Sequence, residues 1–370
     1  MRLPTRLSRR HLMWLLVGLS LGGMVLLSAG IVILASERSD SAAGSAPVAT
    51  AAPQDSASPI TRPASSTIVT TRETTAPAVS SATTASPRTL PARPAPVQAT
   101  PVVSRVEAYR GLGSWVDIYD DAAWKDPAGT VADMSKHGVK TLYIETGNSR
   151  SSGTLFKKSQ LQTFITEAHA HGMKVVAWYL PDLKDLEKDF TRIDAAIHLT
   201  TANGQKFDSF SLDIESGAVT PQSARNRALL KLSEQIRDSA GASYPLGAII
   251  PSPVGLSKKG SYWPDFPYTG LAAIYDAFVP MGYYTYHGDG AKLAYSDTIQ
   301  NARILRSKKG CSTVPIHMIG GVSEESSAAE VEAFVRGSQE SKCIGASLYG
   351  WAGTKTAHWQ ALKGVGMGTP

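Results

Sequence analysis

The chain has 370 residues and a formal charge of +6, but the charge is unevenly placed. Residues 1–105 hold ten Lys and Arg against four acids, which leaves 27 of each sign for 106–370. A formally neutral C-terminal part has no electrostatic footprint for nucleic acid, and that partner class is excluded.

Arg2, Arg6, Arg9 and Arg10 precede an apolar run from Leu12 to Ala35, broken only by Gly and Ser. The run is long enough to cross a bilayer as a helix. The preceding positive charges place the N-terminus in the cytoplasm and the remainder outside. Residues 1–35 therefore read as a single-pass membrane anchor, with a cleaved export signal as the alternative. Residues 36–105 are mostly Ala, Ser, Thr and Pro with almost no aromatics. Such a composition cannot bury enough apolar surface to offset its ordering entropy, so this stretch reads as a disordered linker.

From Val106 the chain becomes aromatic and patterned, and strands alternate with helices. The predicted strands are 112–118, 139–145, 174–180, 207–215, 245–251, 277–284, 314–320 and 344–350. The predicted helices are 127–137, 159–171, 185–199, 221–239, 291–307, 328–337 and 355–362, with Ser159 as an N-cap and Gly172 at a C-terminus. This rhythm predicts an α/β fold, a (β/α)8 TIM barrel over 106–370. An open doubly wound sheet is the runner-up, but no G-x-G-x-x-G follows the first strand.

Side chains alternate along a strand, so parity separates the barrel interior from the helix side. On the fourth strand Phe210, Leu212 and Ile214 share one face, and Ser211, Asp213 and Glu215 share the other. Polar and aromatic residues gather at the C-terminal ends of the strands: Trp115, Asp117, Glu145, Asp182, Asp213, Glu215, Tyr283, Tyr349 and Trp351. That end of a barrel is where its chemistry sits. Aromatics beside carboxylates suit a sugar, whose C–H faces stack on rings while its hydroxyls take hydrogen bonds. Any one of these aromatics is equally consistent with core filling; their convergence carries the reading.

Phe207-Asp-Ser-Phe-Ser-Leu-Asp-Ile-Glu215 resembles the D-x-x-D-x-D-x-E signature of family 18 glycoside hydrolases, the chitinase-like barrels. Asp208, Asp213 and Glu215 match it, and Ser211 stands at the middle Asp. Met281-Gly-Tyr283-Tyr284 resembles the family's M-x-Y-D, with Tyr284 in place of the Asp. Gly345–Tyr349 resembles its last strand, with Tyr349 where a Trp is usual. Taken over 113–216, the chain also looks like a group of exported actinobacterial glycoside-hydrolase-like barrels. The resemblance implies Glu215 as the catalytic acid. It also implies that the two inner Asp positions of the first motif and the Tyr of M-x-Y-D hold the substrate's acetamido group, so the loss of the middle Asp and of the strand-six Asp counts against substrate-assisted chemistry on N-acetylated sugars.

Asp213 and Glu215 lie two apart on one strand face, close enough for each to raise the other's proton affinity. A Glu so raised is a usable general acid near neutral pH. Glu145 is the expected further carboxylate of the site. Glu324 is a weaker candidate, because Ser323 reads as the cap of the next helix. No metal or cofactor is expected: the histidines are scattered, and neither H-E-x-x-H nor a Walker loop occurs. Two function classes follow, a glycosidase acting on an extracellular or wall polysaccharide and a carbohydrate-binding barrel without turnover. The barrel is expected to be monomeric. Cys311 and Cys343 each precede a strand at the same end of the barrel and are expected to form a disulfide.

Overall fold

A computed structural model describes residues 105–365. The expected anchor and linker lie outside the described residues. Among those described, no helix is long and apolar enough to cross a membrane.

Eight parallel strands close into a barrel in simple sequential order. They are β1 (Gly111–Val116), β2 (Thr141–Asn148), β3 (Lys174–Leu180), β4 (Ser209–Asp213), β5 (Leu246–Pro251), β6 (Ala277–Met281), β7 (His317–Val322) and β8 (Gly345–Tyr349). The outer ring is built from α1 (Asp121–Lys125), α2 (Pro127–Lys136), α3 (Lys158–Ala170), α4 (Leu186–Ile197), α5 (Gln222–Ala240), α6 (Pro253–Leu256), α7 (Tyr268–Ala272), α8 (Ala291–Ser307), α9 (Ala328–Glu340) and α10 (Thr356–Leu362). Asp126 caps α2 by accepting from Gly129 N, and Asp185 caps α4 by accepting from Lys188 N. Ser159 does not cap α3; Lys157 takes the N-cap in a left-handed conformation (φ 39°). Ser323 is not a cap either. Its hydroxyl donates to Gly350 O, and the capping box of α9 belongs to Ser327 and Glu330.

Two apolar clusters follow the predicted parity. Phe210, Leu212 and Ile214 pack outward with the helices, while Tyr109, Trp115, Tyr143, Trp178 and Tyr349 fill or line the barrel interior. Register carries Glu145 to Trp178 and Trp178 to Ser211. Strand tilt lifts the level partner by about one residue per strand in an eight-stranded barrel. Glu145, Asp213, Met281 and Tyr349 therefore share the upper level. Trp115, Trp178, Ile249 and Ile319 form the level beneath it, above Tyr143, Ser211, Val279 and Ser347.

The floor explains one departure from the family motif. Tyr109, just before β1, turns into the barrel, and its hydroxyl lies 2.5 Å from Ser209 Oγ and 3.0 Å from Ser211 Oγ. His317 Nδ1 donates to Tyr109 O at 2.8 Å, its Nε2 accepts from Ser347 Oγ at 3.0 Å, and Trp115 Nε1 donates to the same oxygen at 2.8 Å. Glycines make room for these groups. A Cβ on Gly247 would stand 2.4 Å from both Ser211 Oγ and Tyr109 OH, and one on Gly345 would stand 2.3 Å from His317 Nδ1. At position 211 a serine is what the packed floor accommodates.

The expected disulfide is not formed, and both cysteines are free. Cys311 is buried with its sulfur toward Tyr268 O (3.8 Å) on α7. Cys343 packs against the core near Arg306 of α8, and burial pushes its thiol up to about 12. The two residues share one end of the barrel, but their side chains have different neighbours.

Candidate functional site

The C-terminal mouth of the barrel holds a cavity of about 400 Å³. That lies within the range of sites that bury small ligands, about 300–1,000 Å³. Of the residues singled out from the sequence, Trp115, Asp117, Glu145, Asp182, Asp213, Glu215, Tyr283 and Tyr349 line it. Trp351 does not. Strand alternation stops at Tyr349, and a 3-10 turn over Trp351–Gly353 carries the indole outward against Trp359, 5.5 Å between ring centres. Asp208 of the motif is also remote. It sits at the other end of β4, where it accepts from Lys174 Nζ and Val175 N and pairs with His169.

Glu145 ends the inward face of β2 and is 2 % exposed. One oxygen accepts from Ile118 N and the other from Asn148 Nδ2, both at 3.0 Å. Burial nevertheless raises its carboxyl to about 8, with the nearby Asp117 and Glu215 adding to the rise. Asp213 is 7 % exposed, and its Oδ1 is buried without a hydrogen-bond partner. Burial first, then Glu215 and Glu145, holds it well above the usual carboxylate range. Glu215 lies just past the end of β4, half-buried, with Tyr262 OH donating to its backbone oxygen at 3.3 Å. Burial raises its carboxyl to about 7. The sequence pattern attributes such a rise to the neighbouring Asp, whereas in the structure desolvation is the leading cause. Three carboxyls in one water-poor mouth favour retained protons.

The aromatic walls are ordered. Trp115 stacks on Tyr143 with ring centres 4.1 Å apart and planes 9° apart, and Trp178 meets it edge-on at 6.1 Å. Tyr349 OH donates to Asp117 Oδ2 at 3.0 Å, and Asp117 Oδ1 accepts from Tyr119 N at 2.8 Å. Tyr283 adopts a left-handed conformation (φ 39°). A bulky residue held there is strained, and such strain concentrates at functional sites. Tyr284, at the motif's Asp position, turns behind the wall, where its hydroxyl donates to Ser326 Oγ at 3.0 Å.

Reasoning from the sequence missed several lining residues: Trp178, Tyr119, Asn148, Arg150 and Lys184. Parity on the third strand was sufficient to find Trp178. Asn148 ends β2 beyond a register shift that follows Glu145, and the others sit on loops, where no periodicity points inward. Buried Arg192 of α4 fixes one of these loops, donating to Asn148 O (3.0 Å), Gly153 O (3.1 Å) and Ser151 O. Among the described residues no cluster of His, Cys, Asp and Glu is arranged to hold a metal ion.

No family model matches the sequence, and no curated protein matches it. Solved structures do. The chain is similar to the spore cortex-lytic enzyme SleL of Bacillus cereus, with TM-score 0.54, 11 % identity, and coverage of 69 % of this chain and 74 % of that one. It is similar to a chitinase from Bacteroides thetaiotaomicron, with TM-score 0.53, 12 % identity, and coverage of 70 % and 95 %. It is also similar to the endo-1,4-beta-mannanase of Rhizomucor miehei, with TM-score 0.51, 10 % identity, and coverage of 68 % and 94 %. At such identities the likeness is one of fold, and the fold is the TIM barrel on which these glycoside hydrolases, chitinase-like barrels among them, are built.

Proposed function

We propose that the protein is a glycoside hydrolase acting on an extracellular or cell-wall polysaccharide, with Glu215 as general acid and Asp213 as its partner. The observation that carries this reading is the convergence of Glu145, Asp213 and Glu215 in one aromatic-walled cavity at the barrel mouth. A proton retained on Glu215 near neutral pH is what protonation of a glycosidic oxygen requires. As the bond to the anomeric carbon breaks, the leaving oxygen takes that proton, and a water supplies the new oxygen to that carbon while its own proton restores the carboxyl. Asp213, one level below, would hold Glu215 in place. Ser211 and Tyr284 stand where the chitinase-like motifs carry Asp, which favours sugars that need no assistance from an acetamido group. Glu215→Gln keeps shape but donates no acid proton, and turnover should fall by roughly 10² or more. Wild-type turnover by Glu215→Gln on a glycan that the parent cleaves would refute the assignment.

A second reading has its own observation. The middle motif position is given over to the Tyr109 floor and Tyr284 faces Ser326, an arrangement that also suits a barrel that binds glycans without cleaving them. Binding at this mouth with no cleavage of any bound glycan would select that reading. The apolar run at 12–35 supports display of the barrel outside the membrane, with 36–105 as spacer. Protease added to intact spheroplasts should then remove the barrel; a protected barrel would contradict this topology.

A further inference from the structure

The carboxyls of the cavity are buried or half-buried, whereas the fully exposed charges that line it, on one side of its rim, are positive. Arg150, on the loop after β2, and Lys184, on the loop after β3, both line the cavity and are both exposed. Neither takes part in an ion pair among the described residues. These loops leave adjacent, hydrogen-bonded strands, so the two cations share one side of the mouth.

Each cation stands on an ordered backbone. Arg150 N donates to Asn148 Oδ1 and Lys184 N donates to Asp182 Oδ1, both at 3.0 Å. The loop that carries Arg150 is the one clamped from below by buried Arg192. Beside it stands Tyr119, one of two exposed large hydrophobic side chains among the described residues, at 42 % exposure. The Tyr119 phenol is raised by burial and by Glu145 and Asp117, with Arg150 opposing them, and both Tyr119 and Arg150 line the cavity. An exposed ring and a guanidinium at one cavity mouth suit a sugar that stacks one face and offers an anionic group at its edge.

The acids of the site stand further in than the two cations. Glu145 and Asp213 are buried and Asp117, Asp182 and Glu215 half-buried, with Asp117 accepting from Tyr119 N and Tyr349 OH and Asp182 from Lys184 N, whereas Arg150 and Lys184 are exposed.

We propose that Tyr119, Arg150 and Lys184 form a subsite for an acidic sugar unit, so that the polysaccharide taken by this mouth is an anionic one bearing carboxylate or phosphate groups. This rests on the glycosidase reading for the location of the reacting bond but is tested by binding.

Calorimetry on the full-length protein carrying Glu215→Gln, in low salt, should compare a β-1,4-mannuronate hexamer, β-1,4-mannohexaose and mannohexaose bearing 6-phosphates. The anionic hexamers should bind about tenfold more tightly than the neutral one, as two exposed charge contacts permit. That preference should shrink at high salt. Preference for mannuronate identifies the carboxylate source, and preference for the phosphorylated hexamer identifies phosphate. Adding Arg150→Gln and Lys184→Gln should remove the preference while leaving mannohexaose affinity within about twofold. Equal affinity for the three hexamers, or a preference that survives the double substitution, overturns the subsite. If the parent also cleaves mannohexaose, the glycosidase reading stands without it. Binding of no hexamer by the Glu215→Gln protein overturns the subsite, and turnover by the parent then judges the glycosidase reading separately.

Discussion

Restoring the family's middle carboxylate, Ser211→Asp, should damage the protein rather than repair it. Ser211 Oγ lies 3.0 Å from Tyr109 OH, which is also 2.5 Å from Ser209 Oγ. On the neighbouring strand, even a methyl at Gly247 would stand 2.4 Å from that serine oxygen. Two added heavy atoms thus meet a filled floor. Overpacking of this kind costs about 1–3 kcal/mol. A buried carboxyl short of partners adds about 1–3 kcal/mol even when it stays protonated. The sum, about 2–6 kcal/mol, corresponds to a fall in Tm of about 10 °C for a domain of this size. Calorimetry of Ser211→Asp against wild type checks it. Ser211→Asp combined with Tyr109→Phe should recover part of the loss, because removing the hydroxyl opens space beside the new carboxyl. An unchanged Tm for Ser211→Asp alone would show that the floor is not packed as described, and the explanation of the motif departure would fail with it.

The buried His317 is held to about 4 by burial, against an ordinary value near 6.5. A depressed histidine gives stability that is whole above the unfolded value and is lost as pH falls from 6.5 toward 4, up to about 3 kcal/mol; His317→Asn should flatten that limb in denaturant titrations, and an unaltered limb would exclude the histidine as its source. Glu145, raised to about 8, has the opposite sign: its contribution is whole below about 4.5 and is lost as pH rises through 8, so Glu145→Gln should be relatively more stable than wild type at pH 9 than at pH 5. Asp213→Asn should lower any glycosidase rate and move the alkaline limb of its pH profile to lower pH, since it removes a carboxyl neighbouring the protonated Glu215; a profile unchanged in shape would argue against their coupling. Two thiols should titrate in the denatured, unreduced protein, and reductant should leave Tm unmoved; a mass two protons short would contradict the free cysteines.

Much of the barrel was legible because parallel strands and amphipathic helices leave different periodicities. Lys174–Leu180 and Ala291–Ser307 lie at the bounds read from the sequence. The segment between β5 and β6 was opaque. Its helices, Pro253–Leu256 and Tyr268–Ala272, are too short to show a period. Parity placed Asp213, Glu145 and Tyr349 correctly and failed at Trp351, because alternation holds only while the strand continues. Adjacent strands placed both cysteines at one end of the barrel, but adjacency says nothing about the direction of a side chain on a turn. The loop that carries Arg150 depends on the clamp of Arg192, 42 positions further along the chain, which local pattern does not reveal.

The closure of the barrel floor has a mechanical consequence. The described chain begins at Arg105, which bonds Asp276 Oδ1 at 3.2 Å and Ala242 O at 3.1 Å, and four residues later Tyr109 enters the barrel. Asp276 is itself paired with Arg237 at 2.7 Å. Tension applied from the N-terminal side would load Arg105 first and Tyr109 next, and would reach β4 through Ser209 and Ser211. The strand that carries Asp213 lies on that load path, whereas the loops bearing Arg150 and Lys184 stand off it. Pulling the domain by its N-terminal end should therefore disturb the acid pair before it disturbs the cationic rim.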